Sequence, residues 1–328
     1  RRQRQMCIRD RDIFWIKNTF SYYDYDGSTY VELFYISSGT TLETQKEKFN
    51  EALNDFVNNA TMYSSEYERE KYVNDYIISN CVYDDESAYN NNTKGNVSTA
   101  YGVLVDGKAI CEGYARAFQL LCNKLGIECV SIAGMTGDVG HEWNCAKIDG
   151  NWYQVDVTWN DSQDDFSNYY YFNLTDEQMY SSHRADDLFD EIEPDNYNND
   201  ENLIGNLYVP ECNSTEYNYY NQTAPILYAF DEENDNTISN ALANSAVNGD
   251  NYFNIIVDDS LDFEDAYSTL VQDGYVVNYI ESANNMLWGE VELDTSSYAY
   301  KNDTLRVITI VLNLSLIHIS EPTRLDVI

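Results

Sequence analysis

The chain has 328 residues, enough for two domains, one of them large enough to bury a substantial core. Its 19 basic and 56 acidic residues leave a net charge of −37, which repels phosphate backbones and anionic lipid and argues against both as partners. No run of roughly eighteen apolar residues exists, so no membrane-spanning segment is expected.

Two stretches stand apart from the rest. Residues 1–11 read RRQRQMCIRDR and residues 314–324 read LSLIHISEPTR. Both resemble conceptual translations of the adapters used in DNA sequencing libraries. Residues 5–11 and 314–320 can be encoded by DNA whose cores are reverse complements of each other. Residues 1–11 and 314–328 are therefore expected to be foreign to the natural protein, which removes Cys7 and His318 from any site. The absence of a leader or an anchor between them carries no weight. Thirty tyrosines, many asparagines and little lysine resemble surface proteins of anaerobic bacteria, so an extracellular or cell-surface location is expected. The remaining cysteines, Cys81, Cys111, Cys122, Cys129, Cys145 and Cys212, match neither a zinc pattern nor a dense disulfide framework.

In chain order, residues 12–38 alternate aromatic and polar side chains around Asp26-Gly27, which predicts a hairpin. A calcium loop there would need carboxylates where Tyr22 and Leu33 stand, so a plain turn is expected. Over residues 41–59, Phe49, Ala52, Leu53, Phe56 and Val57 fall at the spacing of an amphipathic helix. A second helix is expected from Ser65, with Glu68 completing a capping box. A polar loop over 84–99 follows.

Residues 108–161 carry the chemistry. Tyr114, Ala117, Phe118, Leu121 and Leu125 line one helical face, ended by Gly126. Cys111 opens that helix, where unpaired N–H groups and the positive dipole end favour a thiolate. Gly113 allows a close approach to the first turn. Asp149-Gly150 is a two-residue turn between HEWNCAKI and NWYQVDVT. That turn pairs Ile148 with Asn151, which sets Trp143 opposite Asp156 and makes His141 the diagonal neighbour of Asp156 on the same face. A one-residue slip would separate them. Besides His141, the only other histidine left is His183. A cysteine at a helix start and a histidine beside an aspartate supply a nucleophile, a base and the group that orients the base.

Further on, residues 169–172 are expected to form a core strand and Thr175 to start a short helix. Residues 184–202 are acidic and poor in apolar side chains, as in a linker. Beyond them, strands are expected at 226–230, 252–257 and 275–280. Helices are expected at 237–247 and 263–272, and a last apolar run at 305–312. Such alternation predicts a small α/β domain with helices on one face.

The motifs ICEGYA, HEWN and WYQVDVTWND make residues 72–180 resemble the core of the transglutaminase-like superfamily. The resemblance implies an α+β, papain-like fold in which a nucleophile helix packs on an antiparallel sheet. It implies Cys111 as nucleophile, His141 as general base and acid, and Asp156 as its orienting partner. It further implies acyl transfer on an amide of a protein or peptide, ending in hydrolysis or in cross-linking to an amine. No motif implies a cofactor or a metal ion. For oxyanion stabilisation, the Cys111 N–H is one donor, with Tyr101 and Trp143 as candidate neighbours. The organisation expected is N-terminal strands and helix at 12–60, a catalytic core at 61–183, an acidic linker at 184–222 and a small α/β domain at 223–313. The rival expectation is a catalytically silent copy of the fold serving as a surface binding or adhesion module.

Overall fold

The computed structural model describes residues 13–90, 95–162, 164–185, 209–287, 291–296 and 298–316. Two compact units are present, one ending at Tyr217 and the other beginning at Asn218. Residues 1–11 lie outside the described residues.

The first unit opens with the expected hairpin, β1 (Ile16–Tyr25) against β2 (Ser28–Tyr35). Tyr25 pairs with Ser28, so Asp26-Gly27 is the turn, and both residues take positive φ (50° and 73°). Helix α1 (Gly39–Ala60) buries Phe49, Leu53 and Phe56, the stripe that its 3.6-residue spacing defines. Helix α2 (Glu66–Asn80) starts at the reciprocal capping box of Ser65 and Glu68. Two short strands, β3 (Val82–Tyr83) and β4 (Lys108–Ala109), then pair in parallel and set the backbone just ahead of Cys111.

Helix α3 (Asp85–Tyr89) lies in the expected loop, capped by Asp84. Helix α4 (Cys111–Lys124) is the spine of the unit, with Tyr114, Ala117, Phe118 and Leu121 fully buried. Burying a side chain such as Leu or Phe contributes about 1.5–3 kcal/mol, so this face alone commits the helix to the sheet. Its C-terminus is a Schellman stop. The Ile127 amide donates to the Cys122 carbonyl, the Gly126 amide donates to the Asn123 carbonyl, and Gly126 sits at φ +83°.

The sheet beneath α4 is fully antiparallel, in the order β7 (Asn151–Val155), β6 (Val139–Ile148), β5 (Glu128–Thr136), β8 (His183–Ala185). Helix and antiparallel sheet make this unit α+β. Ile148 pairs with Asn151 and Asn144 with Val155, which is the register expected from the Asp149-Gly150 turn. Three side-chain contacts lock α4 to the sheet. Asn144 of HEWN donates to the Ala115 carbonyl at 3.0 Å. Gln119 donates to the Cys129 carbonyl at 2.9 Å and accepts from the Ser131 hydroxyl at 3.2 Å.

Two expectations for this unit are corrected. Residues 169–172 form turns, with Asn173 at φ +58°, because their amides bond back to Ser167 and Tyr169 instead of to a neighbouring strand. Residues 184 and 185, expected to begin the linker, are sheet: Arg184 pairs with Met135 and Ala185 with Gly134. Later in the same stretch, Cys212 is buried with its sulfur 3.8 Å from that of Cys145, and Ser214 accepts a hydrogen bond from Tyr153.

The second unit holds a mixed sheet in the order β12 (Ala299–Asn302), β13 (Val307–Val311), β10 (Tyr252–Val257), β9 (Ile226–Leu227). Only β9 and β10 are parallel there. Its core includes Ile238 and Leu242 from a helix over Glu232–Asn248 and Ile255 and Ile310 from the sheet. Residues 275–280, expected as a strand, belong to a helix over Val276–Met286. Val276, Tyr279, Ile280 and Ala283 are its buried side and sit at i, i+3, i+4 and i+7. The expected helix at 263–272 is present, an α-helix over Phe263–Tyr267 that continues as a π-helix over Ser268–Gln272. Leu314–Leu316, the start of the adapter-like tail, pairs with Val291–Leu293. Among the described residues no helix is long and apolar enough to cross a membrane.

Candidate active site

Cys111 is the first residue of α4 and is half-buried. The chain is crowded there: a Cβ at Gly113 would lie 2.5 Å from the Val97 carbonyl oxygen and 2.8 Å from the Ala109 Cβ. Glycine is therefore needed for the loop before the helix to seat against its first turn. Ile110, the residue at the N-cap, makes no side-chain cap bond.

Across the site, His141 lies on β6 and its Nε2 is 2.7 Å from Asp156 Oδ2. Asp156 is fully buried and caps the short helix α5 (Val157–Asn160). Its Oδ1 accepts from the backbone amides of Thr158 (2.9 Å) and Trp159 (3.3 Å), and its own amide donates to the Tyr171 carbonyl. The ladder itself ends at Val155. The diagonal neighbours therefore meet because Asp156 leaves the strand as a helix cap while its carboxylate still faces His141.

The electrostatics follow from that contact. Burial works against charge on both groups, and the ion pair outweighs it. Burial of His141 is overcome by the charge and hydrogen bond of Asp156, with Cys111 adding to the effect, and its pKa is pushed up to about 10. Burial of Asp156 is overcome by His141 and then His183, which hold its pKa down at about 2. Cys111 is thus close enough to His141 to act on the imidazole by both hydrogen bonding and charge. Since Nε2 serves Asp156, Nδ1 is the nitrogen left for the thiol.

His183, just ahead of the stretch expected as a linker, is the unexpected member. It is buried, and its Nε2 lies 3.0 Å from the same Asp156 oxygen. The nearest ligand atoms of His141, Asp156 and His183 all lie within 4.8 Å of one another, a spacing open to a divalent cation. With both imidazoles already within hydrogen-bonding distance of Oδ2, the cluster is complete as a hydrogen-bonded network.

The two residues expected as oxyanion neighbours are elsewhere engaged. Tyr101 packs in a buried aromatic cluster with Phe14 and Phe49, and the Trp143 indole N–H donates to Gln154 Oε1 at 2.7 Å. Tyr83, at the end of β3, lies beside Cys111. Its partner in the ladder is Ala109, two residues before Cys111, and both the amide and the thiol of Cys111 act on its hydroxyl. Burial, followed by the Cys111 charge, pushes its pKa up to about 12, so it keeps its proton near neutral pH. No spacing in the sequence signals Tyr83, because β3 and β4 pair across a long excursion.

Comparison with known proteins agrees with this architecture. Residues 54–157 match the sequence profile of the Transglutaminase-like superfamily. The Kyphoscoliosis peptidase of Mus musculus is 28% identical over 167 residues, covering 47% of this chain and 24% of the mouse protein. That of Homo sapiens is 26% identical over 167 residues, with the same coverage. The chain thus spans about a quarter of the length of these curated relatives. A crystal structure of a TGase overlaps 44% of this chain and 45% of its own at 17% identity and a TM-score of 0.31, too slight a likeness to add weight. The profile match contains both Cys111 and His141 and reaches one residue past Asp156. Residues 54–157 thus carry a transglutaminase-like domain.

Proposed function

We propose that the chain is a cysteine-dependent acyl transferase acting on amide bonds of proteins or peptides, with peptide hydrolysis as its main outcome. The observation that supports it is the 2.7 Å contact of His141 with Asp156 beside a cysteine that acts on the same imidazole. With the Cys111 proton held on His141 Nδ1, the sulfur attacks the carbonyl carbon, forming the C–S bond. The carbonyl oxygen becomes an oxyanion held by the Cys111 N–H and the Tyr83 hydroxyl. His141 then protonates the leaving nitrogen, the C–N bond breaks, and ammonia or an amine departs. Water, deprotonated by His141, attacks the thioester and restores the thiol. A lysine amine in place of water gives a cross-link. The relatives named as peptidases favour water.

Iodoacetamide labelling near neutral pH tests this reading. Cys111 is expected to react far faster than the other cysteines, and His141→Ala to slow it by about a hundredfold or more. Cys111→Ala identifies the labelled position. The reading fails if Cys111 reacts like an ordinary thiol and His141→Ala changes nothing. Supplying a glutamine-containing protein with and without a fluorescent amine then separates incorporation from hydrolysis.

Tyr83→Phe removes one proposed oxyanion donor and leaves the ring in place. Turnover is expected to drop by about 10²–10³ with little change in KM. A raised KM with unchanged turnover would show that Tyr83 binds substrate and does not stabilise the transition state.

A further inference from the structure

Resting on that reading, we propose that His183 is a positioning residue: its hydrogen bond to Asp156 fixes the carboxylate that orients His141. Among the described residues the carboxylate has four hydrogen-bond partners. The Thr158 and Trp159 amides serve Oδ1, and the imidazoles of His141 (2.7 Å) and His183 (3.0 Å) serve Oδ2. A fully buried carboxylate needs such donors to stay charged. The two amides tether one oxygen, and His183 stops the other from turning away from His141.

His183 is itself held on every side. Its Nδ1 lies 2.9 Å from the Ser182 hydroxyl. Its ring packs against Trp159 (4.6 Å between centroids), Trp143 (5.1 Å), His141 (5.4 Å) and Tyr171 (5.6 Å). β8 comes in closely enough that a Cβ on Gly134 would strike the Arg184 carbonyl and the Trp143 ring, and Gly134 is the ladder partner of His141. The strand carrying His183 and the strand carrying His141 thus flank β5 on its two sides. The titratable groups facing Asp156 are His141 from β6, His183 from β8 and Tyr171 from the turn after α5.

The test compares His183→Gln, which keeps an N–H aimed at Asp156, with His183→Leu, which fills the cage without one. The readout is the rate of Cys111 alkylation by iodoacetamide in the full chain across about pH 3 to 10, with near-UV circular dichroism as the check on folding. His183→Leu is expected to slow alkylation by about 10–100-fold and to move the acid limb up toward the ordinary carboxylate range, while His183→Gln stays within about threefold of wild type. A folded leucine variant with the wild-type rate and acid limb overturns the proposal. So does a folded glutamine variant as impaired as the leucine one, since packing alone would then explain the loss. If the leucine variant does not fold, His183→Asn, whose amide stops short of Asp156, replaces it with the same two outcomes. Failure of the underlying reading looks different: His141→Ala would then leave the Cys111 rate of the otherwise wild-type chain unchanged.

Discussion

Replacing Asp156 by asparagine is expected to slow acylation of Cys111 by about 10⁴-fold and to pull the basic limb of its pH profile down from about 10 toward 6.5. The cap decides the geometry. The Thr158 and Trp159 amides keep an oxygen in the Oδ1 position, so the asparagine NH₂ occupies the Oδ2 position and meets His141 Nε2 as a donor. His141 must then carry its proton on Nδ1, the nitrogen that should accept from the thiol. The loss of charge adds to the loss of tautomer, since Asp156 is the main group raising the His141 pKa. The same pair sets a stability window. The His141 contribution is complete below about 6.5 and is lost as pH rises through about 10; the Asp156 contribution is complete above 3.8 and is lost as pH falls through about 2. Substrate acylation rates and melting temperatures measured across pH check both statements, and an unchanged basic limb in Asp156→Asn would refute the assignment.

The second large effect concerns stability. Glu70 lies on α2, fully buried, where one carboxylate oxygen accepts from Asn173 at 2.7 Å and the other has no hydrogen-bond partner among the described residues. Burial, with a smaller push from Glu66 and against the Asn173 hydrogen bond, raises its pKa from 4.5 to about 8. Folding therefore takes up a proton between those values, and stability falls as pH rises from about 4.5 to about 8, levelling off above. The span corresponds to several kcal/mol, on the order of 1.4 per pKa unit. Glu70→Gln keeps an acceptor for Asn173 and cannot ionise. It is expected to be more stable than wild type at pH 9 by several kcal/mol, about 5 °C or more in melting temperature, and close to wild type at pH 5. Chemical denaturation at both pH values measures this. A difference between the two chains that is the same at pH 5 and pH 9 would contradict it.

What could be read from the sequence was whatever depends on neighbours along the chain. The capping box at Ser65, the stripe of α1, the Gly126 stop and the β6–β7 register are all set within about twenty residues, and all are present. The pairing of His141 with Asp156 follows from that register. The misreadings share one cause. Residues 169–172 and 275–280 are short apolar runs, which a turn packed on the core and a helix both accommodate, and only the wider spacing out to Ala283 reveals the helix. His183 and Tyr83 went unseen because they sit on strands whose partners, β5 and β4, are remote and joined by no hairpin.

The β6–β7 hairpin also bears on how the site comes together as the chain folds. His141 and Asp156 lie 15 residues apart and are joined by a two-residue turn, a closure that takes microseconds in isolated hairpins. The Asn144 bond that docks the nucleophile helix spans 29 residues, and the His183 contact spans 27 with no hairpin to guide it. His141 and Asp156 are therefore expected to meet through local search, while Cys111 and His183 arrive by long-range docking with its larger loop entropy. The imidazole–carboxylate pair is therefore expected to form before the rest of the sheet closes around Cys111.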